Sequence, residues 1–136
     1  MRVMLFLLDK SFFVGHTLFI LFNILGWIPK RTRRLNLFTL SLTAASWFIL
    51  GIWYGFGYCF CTDWHWDVRR NLGYEESSGS YIKFLLDSLT GYDFDPDLVM
   101  NMTGAVFFLV FGISLFLNIR DYRMAKRAHR SNEGGL

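Results

Sequence analysis

The chain has 136 residues, 53% of them apolar and 19% aromatic, and carries a formal charge of +3. That length allows one domain at most, and the apolar and aromatic share is heavy for a soluble domain of this size. The basic excess does not point to nucleic acid: the positive residues flank apolar blocks, and no basic strip is interleaved with exposed aromatics.

At the N-terminus, Arg2 precedes an apolar run, residues 3–8, that stops at Asp9 and Lys10. The run is too short for a signal peptide and no small-residue cleavage site follows it, so it reads as an interfacial lead-in or an extension of the first span, kept on the mature protein. Residues 11–28 form the first uncharged block, with His16, Thr17 and Asn23 as its clearly polar members besides Ser11. Residues 37–58 and 98–119 form two more, with hydroxyls but no charge. A block of about 20 residues matches the roughly 30 Å hydrocarbon core of a bilayer. The expected fold is therefore an all-α integral membrane bundle of three transmembrane helices spanning about 11–28, 37–58 and 98–119. Residues 1–119 make one transmembrane domain with a loop at 59–97, and residues 120–136 a basic tail.

Charge orients the bundle. Lys30, Arg31, Arg33 and Arg34 lie between the first two blocks, and Arg120, Arg123, Lys126, Arg127 and Arg130 follow the third. The long loop is mainly acidic, with Asp63, Asp67, Glu75, Glu76, Asp87, Asp93, Asp95 and Asp97 against Arg69, Arg70 and Lys83. The positive-inside rule places the first connection and the C-terminus in the cytoplasm, and the long loop and N-terminus outside. Arg2 and Lys10 oppose this, two positives against nine. Pro29 ends the first span, since it cannot continue the hydrogen-bond ladder. Trp27 suits the cytoplasmic interface, and Trp53, Tyr54, Tyr58, Trp64 and Trp66 the outer one.

In the loop, residues 73–79 read as a flexible turn. Ile82, Leu85, Leu86 and Leu89 recur at i, i+3, i+4 and i+7, predicting a short amphipathic helix over 80–89 that lies on the outer membrane face or on the bundle. Asp95 before Pro96 reads as the N-cap of the third span, with Asp97 favouring the same helix start. The last six residues, 131–136, read as a disordered tail.

The segment from Cys59 through Cys61, Thr62, Asp63, Trp64 and His65 to Trp66 concentrates the chemistry. Cys59, Cys61 and His65, with His16 arriving from the first span, are the residues a metal or haem would use, in a redox component of the membrane. The one-residue cysteine spacing falls short of the usual zinc pattern, and no second ligand pair is visible. Two such cysteines are otherwise small apolar residues, or partners in a disulfide to another chain. The favoured reading makes Thr62, Asp63, Trp64, His65 and Trp66 a structural or interaction element at the interface, and no cofactor is expected. Counting inward from the outer ends sets His16 level with Trp53 and Thr103, and Asn23 level with Ser46. Such groups hydrogen-bond between helices. Gly51 and Gly55 form a small-xxx-small pair that would allow close helix approach, within the chain or to a partner. No phosphate loop, nucleophile elbow or Ser-His-Asp arrangement occurs.

The order VGHTLFILFNILGWIPKRTRRLNLF, SWFILGIWYGFGYC, TDWHWDVRRNLG resembles the domain-of-unknown-function 2784 family of small bacterial inner-membrane proteins, over residues 12–118. Its most specific part is the cysteine closing span two with the Thr-Asp-Trp-His-Trp run, here Cys59 and residues 62–66, and His16 also matches. The family pattern has a proline and an apolar residue after the cysteine, where this chain has Phe60 and Cys61. Cys61 is thus a private feature, and a two-cysteine site is not implied by the resemblance. The resemblance implies a bacterial inner membrane and a multi-span fold, and supplies no activity. The function expected is a non-catalytic subunit or scaffold in the lipid bilayer. It would engage other membrane or periplasmic proteins through the outer loop, without nucleic acid.

Overall fold

A computed structural model describes residues 1–75 and 79–135. It is helical throughout, with no strand among the described residues. Helix α1 covers Arg2–Leu25, α2 Arg33–Tyr54, α3 Phe60–Asn71, α4 Tyr81–Thr90 and α5 Pro96–Glu133. Helices α1, α2 and α5 are each long and apolar enough to cross a membrane. Their outward side chains fit that solvent: Phe38, Ile52, Leu109 and Phe116 are all more than half exposed. In a bilayer such residues face lipid tails and need no further cover.

The bundle is held most tightly between α2 and α5, where Leu40, Phe107 and Val110 are buried and Trp27, Ala44, Trp47 and Phe111 pack around them. At one end, a polar node fixes the α1–α2 turn. Asn36, fully buried, donates from Nδ2 to the carbonyls of Phe22 and Asn23 at 2.9 and 3.1 Å, and its Oδ1 accepts from Ser114 of α5 at 2.9 Å. Gly26 is required there, because a Cβ would stand 2.9 Å from Asn36 Nδ2 and 2.5 Å from the Phe22 carbonyl. Arg33 continues the node to Asp121 at 2.7 Å and to the carbonyl of Trp27 at 2.9 Å. The α1–α2 connection and the start of the basic segment of α5 therefore lie at the same end.

Several helix bounds differ from those of the uncharged blocks. The first helix begins at Arg2 and takes in residues 3–8, the extension that is one of the two readings given for them. The second ends at Tyr54, four residues early: a π-helical turn at Ser46–Leu50 leads into Gly51–Tyr54, and Gly55 stops the helix at φ +99°. The third helix continues past its uncharged block, so residues 131–133 are helical rather than part of a disordered tail: α5 runs on to Glu133, about 57 Å in all. Finally, residues 60–71, read as a loop element, form a helix. The turn expected at 73–79 lies partly outside the described residues. The N-cap of α5 is as read, with Asp95 Oδ1 accepting from the Leu98 amide at 2.8 Å and Pro96 at the first position.

Candidate functional site

Helices α3 and α4 form a cap over the end opposite the Asn36 node. Cys59 is extended, and Asp63 in the first turn of α3 and Arg69 and Arg70 in its last suit the helix dipole. This helix lies along the first turns of α1, which is why residues 3–8 are helical instead of trailing in the interface. The seam between them is polar at its centre. Asp9, 2% exposed, accepts from His65 Nε2 at 2.8 Å and from Arg69 Nη1 at 3.2 Å, and Lys10 Nζ lies 3.3 Å away. A carboxylate only accepts, so the proton between Asp9 and His65 sits on Nε2. His65 Nδ1 then has no partner among the described residues. Aromatic rings wall the pair: Phe12 and Trp66 stack on His65 at 5.7 and 5.4 Å, and Phe84 meets it edge-on at 6.2 Å.

Helix α4 closes the cap from the other side. It lies on the bundle, and the side chain that seats it is Tyr81, 4% exposed, with its hydroxyl donating to the Phe13 carbonyl at 2.9 Å and sharing a bond with Thr17 at 2.9 Å. The apolar stripe read from the sequence is divided: Ile82 and Leu86 face a cavity, whereas Leu89 is 72% exposed. Lys83 bridges Asp87 and Asp93 and ties α4 to the start of α5. Carbonyl and carboxylate partners of this kind leave the cap rigidly seated.

The residues singled out by sequence separate into groups. His16 stacks on Tyr81 at 4.1 Å and its Nε2 lies 3.9 Å from Cys59 Sγ. It lines one cavity with Thr103, whereas Trp53 is 71% exposed and is no part of that lining. The depth count assumed straight α-helix to Tyr58, where the structure has a π-helical turn and a stop at Gly55. Asn23 donates to Thr43 at 3.1 Å rather than to Ser46, whose hydroxyl donates to the Tyr58 carbonyl at 3.0 Å. Asp63 accepts from the Tyr58 hydroxyl at 3.1 Å, and His65 is wholly buried. Thr62 and Trp66 are buried while Trp64 is 59% exposed.

Gly51 and Gly55 do not seat a neighbouring helix in the chain. A Cβ at Gly55 would meet nothing within 4 Å, and one at Gly51 only the backbone of Phe56. Nor do His16, His65, Cys59 and Cys61 form one ligand set: His16 and Cys59 are adjacent, and the Nε2 of His65 is taken by Asp9. Among the described residues no three His, Cys, Asp or Glu side chains converge as a metal shell. Burial pushes the Cys61 thiol up to about 11, so it stays protonated at neutral pH.

Asp9 and Tyr81 are the members of the cap that sequence reading missed. Asp9 carried a signal: Asp9, His16 and Asn23 are spaced by seven, one face of α1. Of these, His16 and Asn23 line a cavity of about 750 Å³ between α1, α2 and the cap, which also takes in Ser46, Cys59 and Thr103.

The family described as Protein of Unknown function (DUF2784) matches residues 6–122, and the chain belongs to it. No curated protein and no solved structure matches the chain. Membership and the three spanning helices make it a small multi-pass protein of the bacterial inner membrane.

Proposed function

We propose that this family member is a non-catalytic component of a membrane complex, oriented with its N-terminus and cap outside and its C-terminus in the cytoplasm. It engages a membrane or periplasmic protein through an aromatic ridge contributed by the end of α2, the connection to α3, and α3 itself. The carrying observation is the division of rings there. Trp66 and Tyr81 are buried and hold the cap, while Trp53, Tyr54, Phe56, Phe60 and Trp64 are 46–71% exposed. Phe60 and Trp64 are paired edge-on at 5.6 Å, so part of the ridge is pre-ordered. Exposed, rigid aromatics backed by a fixed scaffold are the material of interface hot spots, because they bury much area at small entropic cost. The orientation rests on charge. Arg33 and Asp121 are paired, so both basic clusters lie at one end, the end the positive-inside rule retains in the cytoplasm.

Photo-crosslinking tests the ridge. A photoreactive phenylalanine at Trp64 or Trp53 is expected to yield a discrete protein adduct in cells, and one at the lipid-facing Leu109 only lipid. Lipid adducts alone at all three positions would refute the reading. For orientation, single cysteines at Arg31 and Glu75, in a background without Cys59 and Cys61, are treated with a membrane-impermeant thiol reagent on intact cells. Only the one at Glu75 should react, and reversed labelling would invert the topology.

A further inference from the structure

We propose that Cys59 and Cys61 are a dithiol–disulfide couple, oxidised by thiol exchange with a disulfide-bearing protein outside the membrane. This goes beyond the aromatic ridge and rests on the proposed orientation only for the side from which the oxidant comes.

Cysteines two apart inside a helix point to opposite sides and are not bridged. This pair straddles a helix start instead. Cys59 is the N-cap of α3, extended at φ −127° and ψ 118°, and Cys61 is the second residue of the helix. With Phe60 helical between them, their Cα atoms stand about 5.4 Å apart. Disulfides span about 4.4–6.8 Å between Cα atoms. An N-cap side chain turns back toward the second and third residues of its helix, which aims Cys59 at Cys61. Both thiols are free and half-buried, a hydrogen bond links them, and both stand on the wall of the larger cavity.

The surroundings give the two sulfurs different roles. His16 Nε2 lies 3.9 Å from Cys59 Sγ, placed to take its proton, the arrangement of a nucleophile beside its base. Burial keeps the Cys61 thiol protonated at neutral pH. Cys59 therefore attacks one sulfur of the incoming disulfide. That bond breaks, and the departing thiolate takes the proton left on His16. Cys61 then attacks Cys59 Sγ in the mixed disulfide, the Cys59–Cys61 bond forms, and the second partner thiol leaves with the Cys61 proton. Two electrons and two protons have passed to the partner, now a dithiol. A ring closed over one intervening residue is strained, and strained disulfides are the labile ones, so the couple is reversible.

The test titrates the full chain in phospholipid nanodiscs with oxidised glutathione, followed by acid quenching, alkylation and intact mass. The native chain should lose both alkylatable thiols together, lose two hydrogens, remain a single chain and retain no glutathione. Cys61→Ser should stop with one glutathione on Cys59. Cys59→Ser should form its adduct at least about tenfold more slowly than Cys61→Ser does. His16→Phe keeps a ring against Tyr81 but no nitrogen at the sulfur, and should slow the first step about tenfold. A lasting glutathione adduct on the native chain, a disulfide-linked dimer, or adducts that form equally fast on the two cysteine variants would overturn the proposal. In cells, acid trapping should find the pair oxidised. A reduced pair, with Glu75→Cys labelled from outside, would overturn the exchange; a reduced pair with Glu75→Cys silent would overturn the orientation instead.

Discussion

Asp9 and His65 are 56 residues apart in the chain and 2.8 Å apart in the fold, and both are buried. Either group alone would be expensive to bury in so apolar a setting; together, with Arg69 on the same carboxylate oxygen, they bind the cap to the first span.

Breaking this contact from the Asp9 side should release the cap. Asp9→Ala removes the acceptor that His65 and Arg69 share and should cost about 3 kcal/mol, the usual loss when one partner of a buried pair is deleted. Asp9→Asn keeps an oxygen for His65 Nε2 and should cost less. Denaturant unfolding in mild detergent and protease cleavage between α3 and α4 would register both, and wild-type behaviour of Asp9→Ala would remove the anchor.

The two tryptophans beside His65 should behave differently. Trp66 is 8% exposed and meets Phe84 at 5.1 Å, so Trp66→Ala should cost about 3–5 kcal/mol and lower the folded protein in the membrane. Trp64 is an exposed ridge residue, and Trp64→Ala should change stability by less than about 0.5 kcal/mol. Equal losses from the two would contradict their placement.

What the sequence made legible were local properties. Three blocks without charge gave three spanning helices, and Asp95 with Pro96 gave the start of α5, because span length and caps depend on neighbours in the chain. The cap was not legible as a helix pair. Residues 60–71 mix aromatics with both signs of charge, and the fit of that pattern depends on Asp9, far away in sequence. The π-helical turn at Ser46–Leu50, on which the depth count of span two did not reckon, is invisible in hydropathy.

At the other end of the bundle, Asn36 joins all three spans, donating to two α1 carbonyls and accepting from Ser114 of α5. Asn36→Leu, of nearly the same shape, removes the donors and the acceptor from a fully buried site and should cost about 2–4 kcal/mol. Gly26→Ala should be harmful as well, since its Cβ would press on the Asn36 amide. Ser114→Ala loses one bond and should cost only about 1 kcal/mol. Unfolding curves for the three variants should keep that order.

The corner between α4 and α5 should carry a pH signature. The Lys83 ammonium holds the Asp87 carboxyl below its ordinary value, with a further bond from the Phe94 amide, and Asp87 and Asp93 together hold Lys83 above its own. A carboxylate depressed in the fold stabilises it above the unfolded value of about 4, and that stability is lost as pH falls through the folded value. For the raised lysine the contribution is complete below the unfolded value of about 10.4 and is lost as pH rises through the folded value. Between those limits, roughly pH 5 to 10, the corner should hold constant stability, and acid should loosen it first. Lys83→Met keeps the length of the side chain but not the charge, so it should weaken the acid-dependent part to what the Phe94 amide supplies while leaving α4 seated by Tyr81. Hydrogen exchange of the α4 amides from pH 3 to 8, corrected for intrinsic rates, would read this directly. If Lys83→Met exchanged with the same pH dependence as the native chain, the bridge would play no part in holding the corner.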